Sequence, residues 1–159
     1  MLVLKEVRTV DSIIALSGKT NVGKSRTIKI VYELLKQNYP TLKVLIEPAE
    51  TKVEIRVVII INGKRVGIES RGDTREIVEK ALDIFTDTKC NIIICATRTR
   101  GGSWNAVQEF ANSNHFELKR IQKIPVETEV LQISSNKKYA KELMGEIKLL
   151  LAESVVTIK

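Results

Sequence analysis

Eight residues near the start of the chain, Gly18-Lys19-Thr20-Asn21-Val22-Gly23-Lys24-Ser25, constrain its fold more than any other feature. They follow the pattern G-x-x-x-x-G-K-[ST]. In such a segment the glycines let successive backbone N–H groups turn inward on phosphate oxygens, the lysine neutralises those oxygens, and the hydroxyl reaches Mg²⁺. The pattern has this meaning only between a strand and a helix, and both flanks are present. Ser12 to Ser17 is a short apolar run ahead of it, and Ser25 to Gln37 places Ile28, Val31 and Leu35 on one helical face, with Ile30 and Leu34 beside it. The positive end of that helix favours an anion. Gly18, Lys19, Thr20, Asn21, Val22, Gly23, Lys24, Ser25 and the following Arg26 are therefore expected around phosphates. Lys24 takes the catalytic part on the β- and γ-oxygens, and Ser25 is a metal ligand.

The rest of the chain alternates in the same way. Lys43 to Glu47 reads as a short strand closed by Pro48. Val53 to Ile61 and Lys64 to Ser70 are rich in β-branched residues and flank Asn62-Gly63, a pair in which both residues tolerate positive φ, so an antiparallel hairpin is expected. Apolar residues recur at helical spacing from Thr74 to Phe85, and Asn91 to Ala96 is a buried-looking strand. Trp104, Val107, Phe110 and Ala111 mark a third helix, with Trp104 on its core side. Phe116 to Val130 holds one or two strands interrupted by Pro125, and Ser135 or Asn136 caps a last helix carrying Tyr139, Leu143 and Ile147. The pattern predicts a three-layer α/β/α sandwich around a mainly parallel sheet with one antiparallel hairpin.

A length of 159 residues with 43% hydrophobic content suits one domain spanning residues 1–159. The longest apolar runs, Val57 to Ile61 and Ile92 to Ala96, are too short to cross a bilayer, and no leader-like succession opens the chain. A cytoplasmic protein without a membrane partner is the expectation. Cys90 and Cys95 lack metal-ligand spacing and read as reduced thiols. A net charge of +7 favours a polyanionic partner, a nucleotide or a nucleic acid, although 4% aromatic residues offer bases few stacking platforms. His115 has no Ser or Cys partner suggested by spacing and reads as a surface residue.

From Ser12 to about Gly102 the chain resembles the P-loop NTPase superfamily, and it is similar to small bacterial P-loop proteins described only as ATP-binding. A second element, Glu69-Ser70-Arg71-Gly72-Asp73, lies between the hairpin and a helix and resembles the D-x-x-G motif of Ras-type GTPases, with Glu in place of Asp. The resemblance implies Glu69 as the carboxylate on the Mg²⁺ side, Gly72 as the sensor of the γ-phosphate, and Asp73 as the residue that orients the attacking water. Arg71 could stabilise charge there or remain at the surface. Glu69 alternatively reads as an exposed strand end. Asp73-Thr74-Arg75-Glu76 has capping-box spacing, so the Asp73 carboxylate alternatively caps the next helix.

The third element, Thr97-Arg98-Thr99-Arg100-Gly101-Gly102, follows a strand at the sheet edge where ligands usually bind. Ras-type GTPases carry Asn-Lys-x-Asp at that place, and its absence here favours ATP over GTP. Arg98 and Arg100 are candidate contacts to the triphosphate, to the adenine face or to a second phosphorylated substrate, and otherwise belong to a solvated loop. The leading expectation is Mg²⁺-dependent ATP binding with slow hydrolysis, used as a switch. The alternatives are a nucleotide- or nucleoside-kinase-like phosphotransferase and a nucleic-acid-associated module with a regulatory nucleotide site.

Overall fold

Strand β2 (Ser12–Ser17) is buried at every residue, and its alternate side chains feed two separate cores. Ile14 and Leu16 pack on one face of the sheet with helices α1 (Lys24–Asn38) and α4 (Glu129–Leu151). Ile13 and Ala15 pack on the other with α2 (Arg75–Asp87) and α3 (Gly102–Asn114). A sheet covered on both sides explains why this strand is an unbroken apolar run. Each large aliphatic side chain so enclosed contributes about 1.5–3 kcal/mol. The computed structural model describes residues 4–5, 10–152 and 157–158.

The sheet has six strands in the order β3-β4-β5-β6-β2-β7. These are β3 (Lys43–Glu50), β4 (Ile55–Ile61), β5 (Lys64–Glu69), β6 (Ile92–Thr97) and β7 (Glu117–Gln122) around β2. Parallel pairing joins β5 to β6, β6 to β2 and β2 to β7. The pairings β3/β4 and β4/β5 are antiparallel, so β4 alone runs against the others. A separate two-stranded ladder pairs β1 (Leu4–Lys5) with β8 (Thr157–Ile158). In register, Ser17 lies opposite both Thr97 and Gln122, and Glu69 lies opposite Cys95. The segments that leave these strands therefore emerge along one edge of the sheet.

The Asn62-Gly63 hairpin forms with φ of 51° and 77° at its two turn residues, the left-handed values its composition invites. Three expectations are corrected. A second antiparallel pairing accompanies the hairpin. Strand β3 also continues through Pro48 to Glu50, because it is an edge strand with irregular register, where a missing N–H is tolerated. The last helix begins at Glu129 rather than near Ser135: Thr128 in extended backbone accepts a hydrogen bond from Leu131 N at 3.2 Å. Ser135 and Asn136 are buried within α4, and between Phe116 and Val130 only β7 is a strand. Among the described residues no helix is long and apolar enough to cross a membrane.

Candidate functional site

The Gly18–Gly23 segment joins β2 to α1 by a path that needs left-handed backbone at Asn21 (φ 63°) and Gly23 (φ 87°). A side chain at Gly23 would also collide with the Asn136 amide, 2.3 Å from the place of its Cβ. Two independent constraints thus fix glycine there. Gly18 N donates to Thr97 O at 3.1 Å, tying the start of the loop to β6. From α4, Gln132 Nε2 donates to Asn21 O at 2.8 Å. Helix α1 starts at Lys24 with no side-chain cap, so its first-turn N–H groups have no side-chain oxygen competing with an external anion.

Lys24 is buried, and its ammonium donates to Gly18 O at 2.6 Å and Lys19 O at 2.9 Å. Burial lowers its pKa, the nearby Asp73 carboxylate opposes that shift, and the Arg98 charge adds to it. Asp73 and Arg98 are themselves 3.9 Å apart, so the loop lysine, the acid after β5 and the arginine after β6 share one electrostatic site.

The Ser25 hydroxyl donates to Ser70 O at 3.1 Å, which places it against the residue that follows Glu69. Glu69 is 1% exposed, so its reading as an exposed strand end is corrected. Its Oε1 accepts from Arg56 at 2.5 Å and 3.0 Å, while Oε2 is buried without a partner. Burial raises the Glu69 pKa and the Arg56 guanidinium opposes the rise. The neighbouring Cys95 thiol is pushed up to about 12, by burial first and then by the Glu69 charge. Gly72 crosses the end of β6 so closely that a Cβ would lie 1.9 Å from Ala96 O.

The capping alternative for Asp73 is corrected. Thr74 is the N-cap of α2, accepting from Ile77 N at 3.3 Å, and Asp73 stands exposed one residue outside. Threonine wins because its extended backbone and hydroxyl already supply the cap oxygen.

The loop after β6 carries Arg98 and Arg100, both exposed, and it is anchored. Arg98 N donates to Ser103 Oγ at 2.9 Å, and Arg120 donates to Thr99 O and, at 2.6 Å, to Ser17 Oγ. The Arg120 guanidinium lies 4.1 Å from the centre of the Trp104 ring. Trp104 is half-buried: it packs against the core under α2 and α3, as expected, with a ring face occupied by that cation. His115 is exposed and ends α3 in left-handed backbone, consistent with a surface role.

Two cavities open at this sheet edge. One, of about 330 Å³, is lined by residues 20–26 together with Val53, Glu54, Asp73 and Gln132. The other, of about 780 Å³, is bounded by Lys19, Thr20, residues 98–100 and residues 122–125. The expected site residues gather in part: residues 20–26 and Asp73 line the first cavity, Lys19, Thr20, Arg98 and Arg100 line the second, and Gly18, Glu69 and Gly72 line neither.

Sequence reasoning missed Arg56, Arg120, Asn136 and Lys123. Lys123 is 1% exposed, donates to Ser135 Oγ at 2.8 Å and sits 4.9 Å over the Tyr139 ring; burial lowers its pKa. Its only advance signal is a lysine directly after the strand Glu117–Gln122, which any solvated loop could also show. No protein-family model, curated protein or solved structure matches the chain.

Proposed function

We propose that the chain adopts a P-loop NTPase fold and binds ATP, with Mg²⁺, through residues 18–26, hydrolysing it slowly. One observation carries the reading. A lysine ammonium with no acid in salt-bridge distance among the described residues is held inside the loop by two carbonyls, at the N-terminus of a helix that lacks a capping side chain. A triphosphate supplies the negative charge that this arrangement lacks.

Of the residues expected on a magnesium ion, Ser25 fits, and Mg²⁺ is commonly held by few protein groups plus phosphates and water. Glu69 does not: its carboxylate is paired with Arg56 beside Cys95, on the sheet face of α2 and α3 and away from α1, and it lines neither cavity. A bound ion would neutralise charge on the β- and γ-oxygens. Lys24 binds the same oxygens and holds the chain in line. Asp73 orients a water whose oxygen bonds to the γ-phosphorus as the bond to the ADP oxygen breaks, and its carboxylate takes the proton. Gly72, lying against Ala96 O, brings the backbone before Asp73 to the sheet edge, where a γ-phosphate would be felt. That contact suits a switch. ATP is favoured over GTP because no Asn-Lys-x-Asp segment follows β6.

Calorimetric titration with ATP and Mg²⁺ tests this reading, with Lys24→Ala as control. Saturable binding by the wild type is expected, with at least a hundredfold loss in a variant that still folds. Equal affinity in the two proteins would overturn it, and a clear preference for GTP would overturn the base assignment.

A further inference from the structure

We propose that the 780 Å³ cavity is the site of a second ligand, a small molecule carrying a phosphate group, held beside the nucleotide rather than as part of it. The inference rests on the reading of residues 18–26 as the triphosphate site. It names the class of molecule that the neighbouring space would take.

The two cavities share Thr20 alone. A phosphate chain on Lys24, Ser25 and Arg26 lies in the smaller one and leaves the larger one open. The larger cavity is lined by three exposed cations, Lys19, Arg98 and Arg100, and among the described residues by no acid. Among the described residues it has no aromatic ring on which a base could stack. Ile124 and Pro125 add apolar surface for a carbon skeleton. Its volume matches the range of small-molecule sites.

Lys123 borders the cavity without offering it a charge: at 1% exposure, its ammonium turns away to Ser135 and the Tyr139 ring. The two arginines stand on backbone already fixed by Ser103 and by the Arg120–Trp104 stack. A guanidinium fork on a fixed loop matches phosphate oxygens without a large ordering cost.

The test uses the whole chain saturated with a non-hydrolysable ATP analogue and Mg²⁺, titrated with phenyl phosphate in a calorimeter. One further equivalent is expected to bind. Arg98→Ala combined with Arg100→Ala should weaken it at least tenfold in a protein that melts with the wild type, because both side chains are exposed. Lys24→Ala should still take one equivalent of phenyl phosphate. If the analogue binds but no phenyl phosphate joins it, or if the double variant binds it unchanged, this proposal falls and the triphosphate reading stands. An analogue that does not bind the wild type overturns the triphosphate reading, and this one with it.

Discussion

Asp73 stands just outside α2, exposed, 3.9 Å from Arg98 and close enough to Lys24 to act on its charge. Because Thr74 supplies the cap, Asp73 can be changed without touching the helix end. Asp73→Asn should melt with the wild type and bind ATP as well, yet turn it over about a hundredfold more slowly, since the amide cannot take a proton. Turnover within a few-fold of wild type would remove Asp73 from the chemistry. The complementary change is Thr74→Ala, which should lower stability by about 1 kcal/mol in denaturant titrations with ATP affinity unchanged. The difference between these neighbours was hidden in the sequence, where Asp-Thr offers two capping oxygens one residue apart and backbone angle alone selects one. Lys24 and Ser25 were legible because their partners lie within a few positions along the chain. Lys123, Arg56 and Arg120 were not, because what defines them is contact with Ser135, Glu69 and Trp104.

At the scale of elements, local patterning located the buried strands and the first three helices, since each carries its own period of apolar residues. It misjudged β3 and the start of α4. Whether Pro48 ends a strand depends on whether that strand has one neighbour or two, and the 129–135 turns expose Val130, Leu131 and Ile133, so no apolar stripe announces them. Gly67 shows how tightly elements are set against each other: a Cβ there would lie 2.6 Å from the Phe85 ring of α2. Gly67→Ala should therefore force α2 away from β5. An overpacking penalty of about 1–3 kcal/mol is expected in chemical unfolding, and ATP binding should persist because α1 and its loop are on the other face. A Gly67→Ala protein of unchanged stability would show that Phe85 has room to turn aside.

Across the whole molecule, the +7 charge includes two buried ammonium groups, Lys24 and Lys123, both at the sheet edge that carries the site. A nucleic-acid partner would need the excess charge spread over an outer face. The cations that bear on function here instead line small cavities, which suits a compact anion better than a polymer. Burial lowers both lysine pKa values below the ordinary 10.5. Between the folded value and 10.5 the unfolded chain holds more protons than the folded one, so stability rises with pH across that interval. Below the folded value both states are protonated, and the unfavourable contribution is complete and constant. These two lysines therefore push the melting temperature of the ligand-free protein up as pH rises across that interval, the reverse of what buried ion pairs involving lysine would give. The Cys90 and Cys95 thiols, whose pKa values burial raises, pull it down as they ionise in the unfolded chain, so the difference between wild type and a Lys123 variant isolates the lysine. Lys123→Met keeps the aliphatic stem and removes the charge. It should melt a few degrees higher than the wild type at pH 7, where about 1 kcal/mol corresponds to about 2–4 °C in a chain of this size. The lysine-driven rise should also be shallower in it, with Lys24 supplying what remains. Melting curves of the two proteins from pH 7 to 10 decide the matter. A variant that melts lower than the wild type at pH 7 would mean that the Lys123 ammonium stabilises the fold, and the unfavourable contribution assigned to it would not exist.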